Sequence, residues 1–178
     1  MTSSVLLNSD EITLAVKRIS LQVLEKNNTP DNLAIVGIHT CGVFLAERIR
    51  TFIHEQTSKL VPYGSLDINL YRDDWSLVTQ NPVVKTTNIS FSVEGMDIIL
   101  VDDVLFTGRT IRAALEALMD HGRPRSVQLA ILIDRGGREL PIRADYTGLK
   151  TTVRSHERIQ VMFKENGGQD EVLLLNPK

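Results

Sequence analysis

Three mostly apolar runs constrain the fold of this chain more than any other feature of its sequence. They span Leu33–Ile38, Met96–Val101 and Ser126–Ile133. Such runs are typical of parallel strands that are buried on both faces. Apolar residues at helical spacing fill two intervening segments, Gly42 to about Gln56 and Arg109 to His121. This alternation predicts an α/β fold with a mostly parallel, twisted sheet flanked by helices.

Shorter patterns predict four further elements. We expect a helix to start at Ser9, because acidic residues follow it and apolar residues then recur at helical spacing as far as Val23. Leu66–Tyr71 alternates apolar and polar residues, which predicts a strand with one polar face. The apolar stretches Arg158–Phe163 and Glu171–Leu175 are candidates for closing strands.

The segment from about residue 72 to 93 has no sustained hydrophobic period. A stretch of this length without regular structure is unusual in a compact domain, unless it forms a functional lid or a protruding hairpin. We therefore predict a flexible loop or hairpin at about 72–93.

The bulk properties are those of a globular protein with a single domain over residues 1–178. The formal net charge of -2 argues against non-specific electrostatic binding of nucleic acid by the whole surface, although it is compatible with a local basic patch. Cys41 is the only cysteine, so an intrachain disulfide is impossible. Neither a signal peptide nor a membrane-length apolar run is present, and we expect a cytoplasmic protein without membrane contact.

Chemistry is concentrated in the segment that follows the second apolar run. Asp102 and Asp103 stand at the predicted carboxyl end of a strand, where open α/β sheets bind ligands. Thr107-Gly-Arg-Thr110 then opens a helix, whose unpaired N–H groups attract an anion. Two adjacent carboxylates can accept hydrogen bonds from vicinal sugar hydroxyls and stabilise positive charge on the ring. An isolated acid pair is more often a solvated turn, so the prediction of a sugar-phosphate site depends on the whole segment.

Val101-Asp-Asp-Val-Leu-Phe-Thr-Gly-Arg-Thr110 resembles the phosphoribosyl pyrophosphate (PRPP) signature of type I phosphoribosyltransferases. More narrowly, the chain resembles the PyrR family of pyrimidine operon regulators, which are also uracil phosphoribosyltransferases. The segments that carry this resemblance outside the signature are Gly37–Gly42, Leu70–Asp74, Gly122–Pro124 and Ile133–Tyr146. Together they span most of the chain from about residue 9 to 163. The resemblance implies a type I phosphoribosyltransferase fold.

The resemblance also implies roles for individual residues. Asp102 and Asp103 would bind the ribose hydroxyls, and Arg72 would clamp pyrophosphate; these are the predicted catalytic residues. The residues expected to bind PRPP are Thr40, Cys41, Leu105, Phe106, Thr107, Gly108, Arg109 and Thr110. Arg135 and the backbone near Val161 would surround uracil. Mg²⁺ would be bound mainly through PRPP oxygens and water, so we assign no metal ligand to a side chain.

The implied reaction converts uracil and PRPP to UMP and pyrophosphate. A second implied activity is UMP-dependent binding to pyr mRNA, which promotes transcription attenuation. The residues expected to contact RNA are Arg18, Arg138, Arg143 and Lys150. Leu21 and Gly137 depart from this pattern, because the family commonly has histidine at both positions. The family also implies a homodimer or a higher homo-oligomer.

Three interpretations stay open at this point. The first is an active uracil phosphoribosyltransferase that also regulates pyr RNA. The second is a catalytically weak, nucleotide-sensing RNA-binding regulator on the same fold. The third is a transferase for a purine or for orotate, against which the match over Ile133–Tyr146 counts.

The arginines of that matching segment also have a purely structural interpretation. Arg135, Arg138 and Arg143 lie close in sequence to three acidic residues, Asp134, Glu139 and Asp145. We expect such an ion pair for Arg143, whereas Arg135 is expected to face the ligand.

Cys41 stands where the family's pyrophosphate loop usually carries arginine. Cysteine cannot replace a bidentate phosphate donor. We therefore expect PRPP to bind more weakly than with arginine at this position, unless another arginine substitutes. Cys41→Arg should raise the affinity for PRPP sharply, as measured by calorimetric titration; an unchanged dissociation constant would contradict the hypothesis.

Overall fold

The computed structural model describes residues 2–73 and 86–176. Its eight strands are β1 Thr2–Leu7, β2 Leu33–Ile38, β3 Tyr63–Leu66, β4 Asp97–Leu105, β5 Ser126–Asp134, β6 Tyr146–Lys150, β7 Arg158–Met162 and β8 Glu171–Asn176. Its α-helices are α1 Ser9–Asn27, α2 Cys41–Thr57 and α3 Arg109–Met119. Short 3-10 helices lie at Asn69–Tyr71 and Lys164–Asn166.

Five parallel strands form the main sheet in the order β3-β2-β4-β5-β6. All three apolar runs are central strands of this sheet. Their alternate residues face opposite layers: Leu33 and Ile35 belong to the core beneath α1 and α2, whereas Ala34 and Val36 belong to the core beneath α3. Burial on both faces explains why these strands are continuously apolar. The predicted fold class is therefore confirmed.

A second, antiparallel sheet has the strand order β1-β8-β7. The predicted closing strands are β7 and β8, but they lie in this small sheet rather than at an edge of the main one. Its third strand, β1, was not predicted, and neither was β6, which forms an edge of the main sheet. Phe163 and Val172 are buried in the core beneath α2, and they pack the small sheet against it.

The strand predicted at Leu66–Tyr71 is wrong. The strand ends at Leu66, and residues 69–71 form a 3-10 helix. Leu66 and Ile68 are buried, but Leu70 is 75% exposed. The apolar residue at position 70 continues the alternating sequence pattern, but it is not packed in the core.

The first helix begins at Ser9 as predicted, but its cap is the preceding residue, Asn8. The Asn8 side chain accepts a hydrogen bond from the Glu11 N–H at 3.0 Å, and the Glu11 carboxylate accepts one from the Asn8 N–H at 2.8 Å. This reciprocal capping box satisfies two N–H groups that the helix itself cannot pair.

The middle of the predicted loop, residues 74–85, lies outside the described residues. After this segment the chain pairs with β3, because Asn88 and Ser65 exchange two backbone hydrogen bonds of 2.8 and 2.9 Å. None of the helices in the described ranges is both long and apolar enough to cross a membrane. A single domain over 1–178 stays a prediction.

Candidate active site

Asp102 and Asp103 lie near the carboxyl end of β4, the middle strand of the main sheet. Asp102 is only 6% exposed. Its Oδ1 accepts a hydrogen bond of 3.0 Å from the Asp103 N–H, and Oδ1 of Asp103 accepts one of 3.0 Å from the Val104 N–H. These bonds fix both carboxylates at the edge where parallel α/β sheets bind ligands.

Burial changes the protonation of this pair. Loss of hydration raises the pKa of Asp102 well above its usual range, and the negative charge of Asp103 adds to the effect. Burial also raises the pKa of Asp103, although hydrogen bonds from Asp102, Val104 and the Cys41 thiol oppose that shift. The positive charge of Arg72 favours ionisation of Asp102. Asp102 therefore holds its proton to a higher pH than an exposed aspartate does.

The turn between β2 and α2, residues 37–42, packs directly against the acid pair. A Cβ on Gly42 would lie 2.5 Å from the Val101 carbonyl oxygen and 3.0 Å from Asp102 Cα, so only glycine fits here. The peptide bond between His39 and Thr40 in this turn is cis. The structure thus brings the predicted pyrophosphate loop and the predicted ribose carboxylates together.

Cys41 points from this turn towards two other parts of the site. Its Sγ lies 3.9 Å from the carbonyl oxygen of Val161 on β7 and donates a hydrogen bond to Asp103. The small sheet therefore presents Val161, a predicted uracil residue, beside the acid pair.

The predicted phosphate loop, residues 105–110, surrounds a cavity of 290 Å³ at the amino end of α3. Gly108 caps the helix at φ 94°, a conformation that favours glycine. The residues that line the cavity are Arg72, Val104, Leu105, Phe106, Thr107, Gly108, Arg109, Thr110, Ile111 and Glu139. All six predicted members of the phosphate loop thus border one cavity with Arg72.

One neighbouring segment, residues 138–140, holds the backbone of this loop in place. The N–H groups of Glu139 and Leu140 donate to the Thr107 carbonyl at 2.9 and 3.2 Å. Arg138 Nη1 donates to the Phe106 carbonyl at 2.8 Å, and its Nη2 lies 2.6 Å from the Asp134 carboxylate. Local sequence patterns do not reveal these hydrogen bonds, because the bonds connect residues about thirty positions apart.

The expected ion pair of Arg143 with a neighbouring acid is wrong. Asp134 pairs with Arg138, Glu139 with Arg109 at 2.7 Å, and Asp145 with Lys26 at 2.7 Å. The acids nearest to Arg143 in sequence are thus occupied by basic residues from other positions.

Arg135 is a buried cation next to the phosphate loop. It is 8% exposed, and its Cζ lies 4.1 Å from the centroid of the Phe106 ring. Nη2 donates to the Arg154 carbonyl at 3.3 Å, whereas the buried Nε has no hydrogen-bond partner among the described residues. Burial lowers the pKa of Arg135. A buried guanidinium with unused donor capacity is suited to bind a ligand oxygen.

Residues 3–165 match the phosphoribosyl transferase domain family. The chain is 50% identical over 173 residues to the bifunctional protein PyrR of Deinococcus radiodurans, covering 97% of this chain and 94% of that protein. It is 48% identical over 172 residues to the bifunctional protein PyrR of Syntrophobacter fumaroxidans, covering 97% and 92%. The chain belongs to the PyrR family.

Solved structures share the fold of this PyrR-family chain. A hypoxanthine phosphoribosyltransferase of Trypanosoma cruzi superimposes with a TM-score of 0.73 at 14% identity, covering 98% of this chain and 97% of that one. A hypoxanthine phosphoribosyltransferase of Staphylococcus aureus gives a TM-score of 0.70 at 22% identity, covering 98% and 93%. These likenesses concern the fold, which is that of type I phosphoribosyltransferases.

The four predicted RNA residues occupy different environments in the PyrR-family fold. Arg18 is exposed on α1, and its guanidinium donates to the Gly148 carbonyl on β6. Lys150 ends the same strand, and Arg143 is exposed in the segment that leads into it. Arg138 differs, because its guanidinium is bound within the loop described above. Three of the four residues thus lie on or beside the β6 edge of the main sheet.

The raised pKa of Asp102 has a measurable effect on stability. The folded protein binds this proton more tightly than the unfolded chain does, so the free energy of unfolding falls as pH rises between the unfolded-state and folded-state pKa values. Asp102→Asn removes that loss. We expect a higher melting temperature than wild type near neutral pH, with a difference that shrinks towards about pH 4, the pKa of an exposed aspartate.

Asp97 at the other end of β4 is a matched control. Hydrogen bonds from Arg125 and Ser126 lower its pKa, so its carboxylate contributes stability that is lost as pH falls. Asp97→Asn should therefore lower the melting temperature near neutral pH. If both variants shift it in the same direction, the assignment of opposite pKa shifts is incorrect.

Proposed function

We propose that this chain transfers the phosphoribosyl group of PRPP to uracil, releasing UMP and pyrophosphate, and that it regulates pyrimidine genes by UMP-dependent binding to pyr mRNA. The observation that carries the proposal is the contact of the turn at residues 37–42 with Asp102 of the acid pair, beside the cavity at the start of α3. Identity near 50% to bifunctional PyrR proteins over almost the whole chain supports both activities.

The parts of PRPP fit the parts of the site. The 5-phosphate occupies the cavity of the phosphate loop, where the first N–H groups of α3 meet its negative charge. Asp102 and Asp103 accept hydrogen bonds from the ribose hydroxyls. The pyrophosphate lies between the turn at residues 37–42 and Arg72, whose guanidinium faces the same cavity.

The reaction displaces pyrophosphate from the anomeric carbon by N1 of uracil. The C–O bond to pyrophosphate breaks and the C–N bond forms, through a state in which the ring carries positive charge. Carboxylates held in a buried position stabilise that charge without reorganising at the moment of reaction. Arg72 stabilises the negative charge that builds up on the leaving pyrophosphate.

Mg²⁺ fits this site as a partner of the substrate. Within residues 2–73 and 86–176, no group of three or more His, Cys, Asp and Glu side chains is placed to hold a metal ion. Asp102 and Asp103 offer hard oxygen donors, which suit an ion that keeps most of its water and phosphate ligands. When bound, Mg²⁺ neutralises charge on the pyrophosphate.

Uracil is the favoured base because the identity to PyrR proteins extends over almost the whole chain, including the segments that carry Arg135 and Val161. Arg135 offers unused donor capacity to a carbonyl oxygen, and the backbone around Val161 lies beside Cys41. A purine or orotate transferase has only fold-level support, since the hypoxanthine phosphoribosyltransferases above are 14% and 22% identical to this chain.

The enzymatic proposal is tested by incubating the protein with PRPP, Mg²⁺ and one base at a time. We expect UMP and pyrophosphate to form with uracil, and Asp103→Asn to reduce the rate by about 100-fold or more because a transition-state contact is lost. Asp31→Asn, an exposed residue paired with Lys59, is the control and should retain wild-type activity. Absence of product with every base would favour the catalytically weak regulator.

The regulatory proposal is supported by the basic residues around the β6 edge. Arg18, Arg143 and Lys150 are exposed there, so a local positive surface coexists with the net charge of -2. Arg138 remains a predicted RNA residue, although the bonds to its own loop already account for its position. A homodimer or higher oligomer and a cytoplasmic location accompany this proposal.

Gel shifts with pyr leader RNA test this surface. UMP should tighten binding, and Arg143→Ala should weaken it and reduce the slope of log affinity against log salt by about one phosphate contact. Lys59→Ala, an exposed lysine beyond the end of α2, is the control. Binding that ignores UMP, or that responds equally to both variants, would count against attenuation through this surface.

A further inference from the structure

Helix α3 presents a row of polar side chains to the segment that carries Arg72. Arg109, Arg112, Glu116 and Asp120 are spaced by three or four residues, so they lie along one side of the helix. The opposite side of α3 is buried against the main sheet by Ala113, Ala114 and Ala117. The polar row is therefore not needed for the core.

Residues 71–73 bind to this row through both backbone and side chains. Arg112 Nη2 donates to the Tyr71 carbonyl at 2.8 Å, and the Tyr71 hydroxyl donates to the Asp120 carboxylate. Two residues further along the chain, Asp73 pairs with Arg109 Nη1 at 2.6 Å. The segment is thus tied to α3 on both sides of residue 72.

Arg72 lies between these two attachments. Its backbone is extended, with φ -76° and ψ 133°. Tyr71 and Asp73 contact α3, whereas Arg72 lines the phosphate cavity and acts electrostatically on Asp102. The attachments therefore hold the backbone on both sides of Arg72 against α3.

We propose that Arg112 and Asp120 are positioning residues, which act on PRPP through Arg72 by holding Tyr71 against α3. This inference rests on the proposed function, since it presumes that Arg72 binds the pyrophosphate of PRPP. Neither Arg112 nor Asp120 lines the phosphate cavity, so neither is a direct ligand.

The backbone contact of Arg112 differs from an ordinary surface ion pair. Arg112 also pairs with Glu116 at 2.9 Å, and exposed pairs of this i,i+4 type add little stability. Its guanidinium is partly buried, and Nε has no hydrogen-bond partner among the described residues. Loss of the bond to the Tyr71 carbonyl should thus affect Arg72 more than it affects the fold.

The test is a double-mutant cycle between Arg112 and Arg72, read by calorimetric titration with PRPP and with pyrophosphate, and by the separate changes in KM and kcat. In the wild-type background, Arg112→Ala should weaken binding of both ligands about tenfold, because misplacing a positioned group by an ångström is costly. In the Arg72→Ala background, the same substitution should change binding less than about twofold, because coupled sites are not additive.

Three further variants separate positioning from charge and from fold stability. Arg112→Lys keeps the charge but not the fork that reaches the Tyr71 carbonyl, so it should behave like Arg112→Ala. Tyr71→Phe removes the bond to Asp120 without changing charge and should act in the same direction. Glu116→Gln removes only the surface pair and should match wild type.

Two results would overturn the inference: an equal loss in both backgrounds, which indicates a long-range charge or folding effect, or no loss at all. Failure of the proposed function would look different, because wild-type protein would then bind neither PRPP nor pyrophosphate. Wild-type UMP formation that falls in Arg72→Ala but stays unchanged in Arg112→Ala would reject the positioning role alone.

Discussion

The site depends on one close approach between two backbones. The turn that starts α2 touches the end of β4 so tightly that a Cβ on Gly42 would lie 2.5 Å from the Val101 carbonyl oxygen. A comparable restriction applies at Gly37, where a Cβ would lie 2.6 Å from Val43 Cα. Because neighbouring parallel strands end at the same edge, this contact places the turn at residues 37–42 beside Asp102 and Asp103. The phosphate loop and the small sheet are then arranged around that contact.

The sequence predicts the parts of the fold that follow from local pattern and double-sided burial. The runs at residues 33–38, 96–101 and 126–133 are apolar throughout most of their length because helices cover both faces. Strand β1 could not be found in this way, since Thr2–Leu7 gains its structure by pairing with β8 near the other end of the chain. Likewise, β3 is selected by parallel pairing with β2, although Leu66–Tyr71 has the more regular alternation.

The candidate site shows the same division. The acid pair and Thr107–Thr110 are contiguous, so their chemistry can be interpreted without coordinates. Other parts of the site depend on hydrogen bonds between residues that are distant in sequence. Arg138 donates to the Phe106 carbonyl, and Arg112 donates to the Tyr71 carbonyl. A basic residue near a motif is equally compatible with ligand binding, RNA binding and loop support. Only the identity of its hydrogen-bond acceptors separates these roles.

The loop after β5 connects the two proposed activities physically. Residues 138–140 hold the carbonyls of Phe106 and Thr107 in the phosphate loop, and the chain then continues directly to Arg143 and β6. The proposed phosphate site therefore borders an element whose next residues form the proposed RNA surface, since Glu139 lines the same cavity as residues 104–111. Contiguity alone does not establish coupling, which requires a difference in ligand affinity between two states. Regulation of RNA binding by UMP through this loop therefore requires that UMP favours one arrangement of residues 138–143. The Arg138 guanidinium donates to the Phe106 carbonyl and to the Ile142 carbonyl, so it joins the phosphate loop to the segment that precedes Arg143.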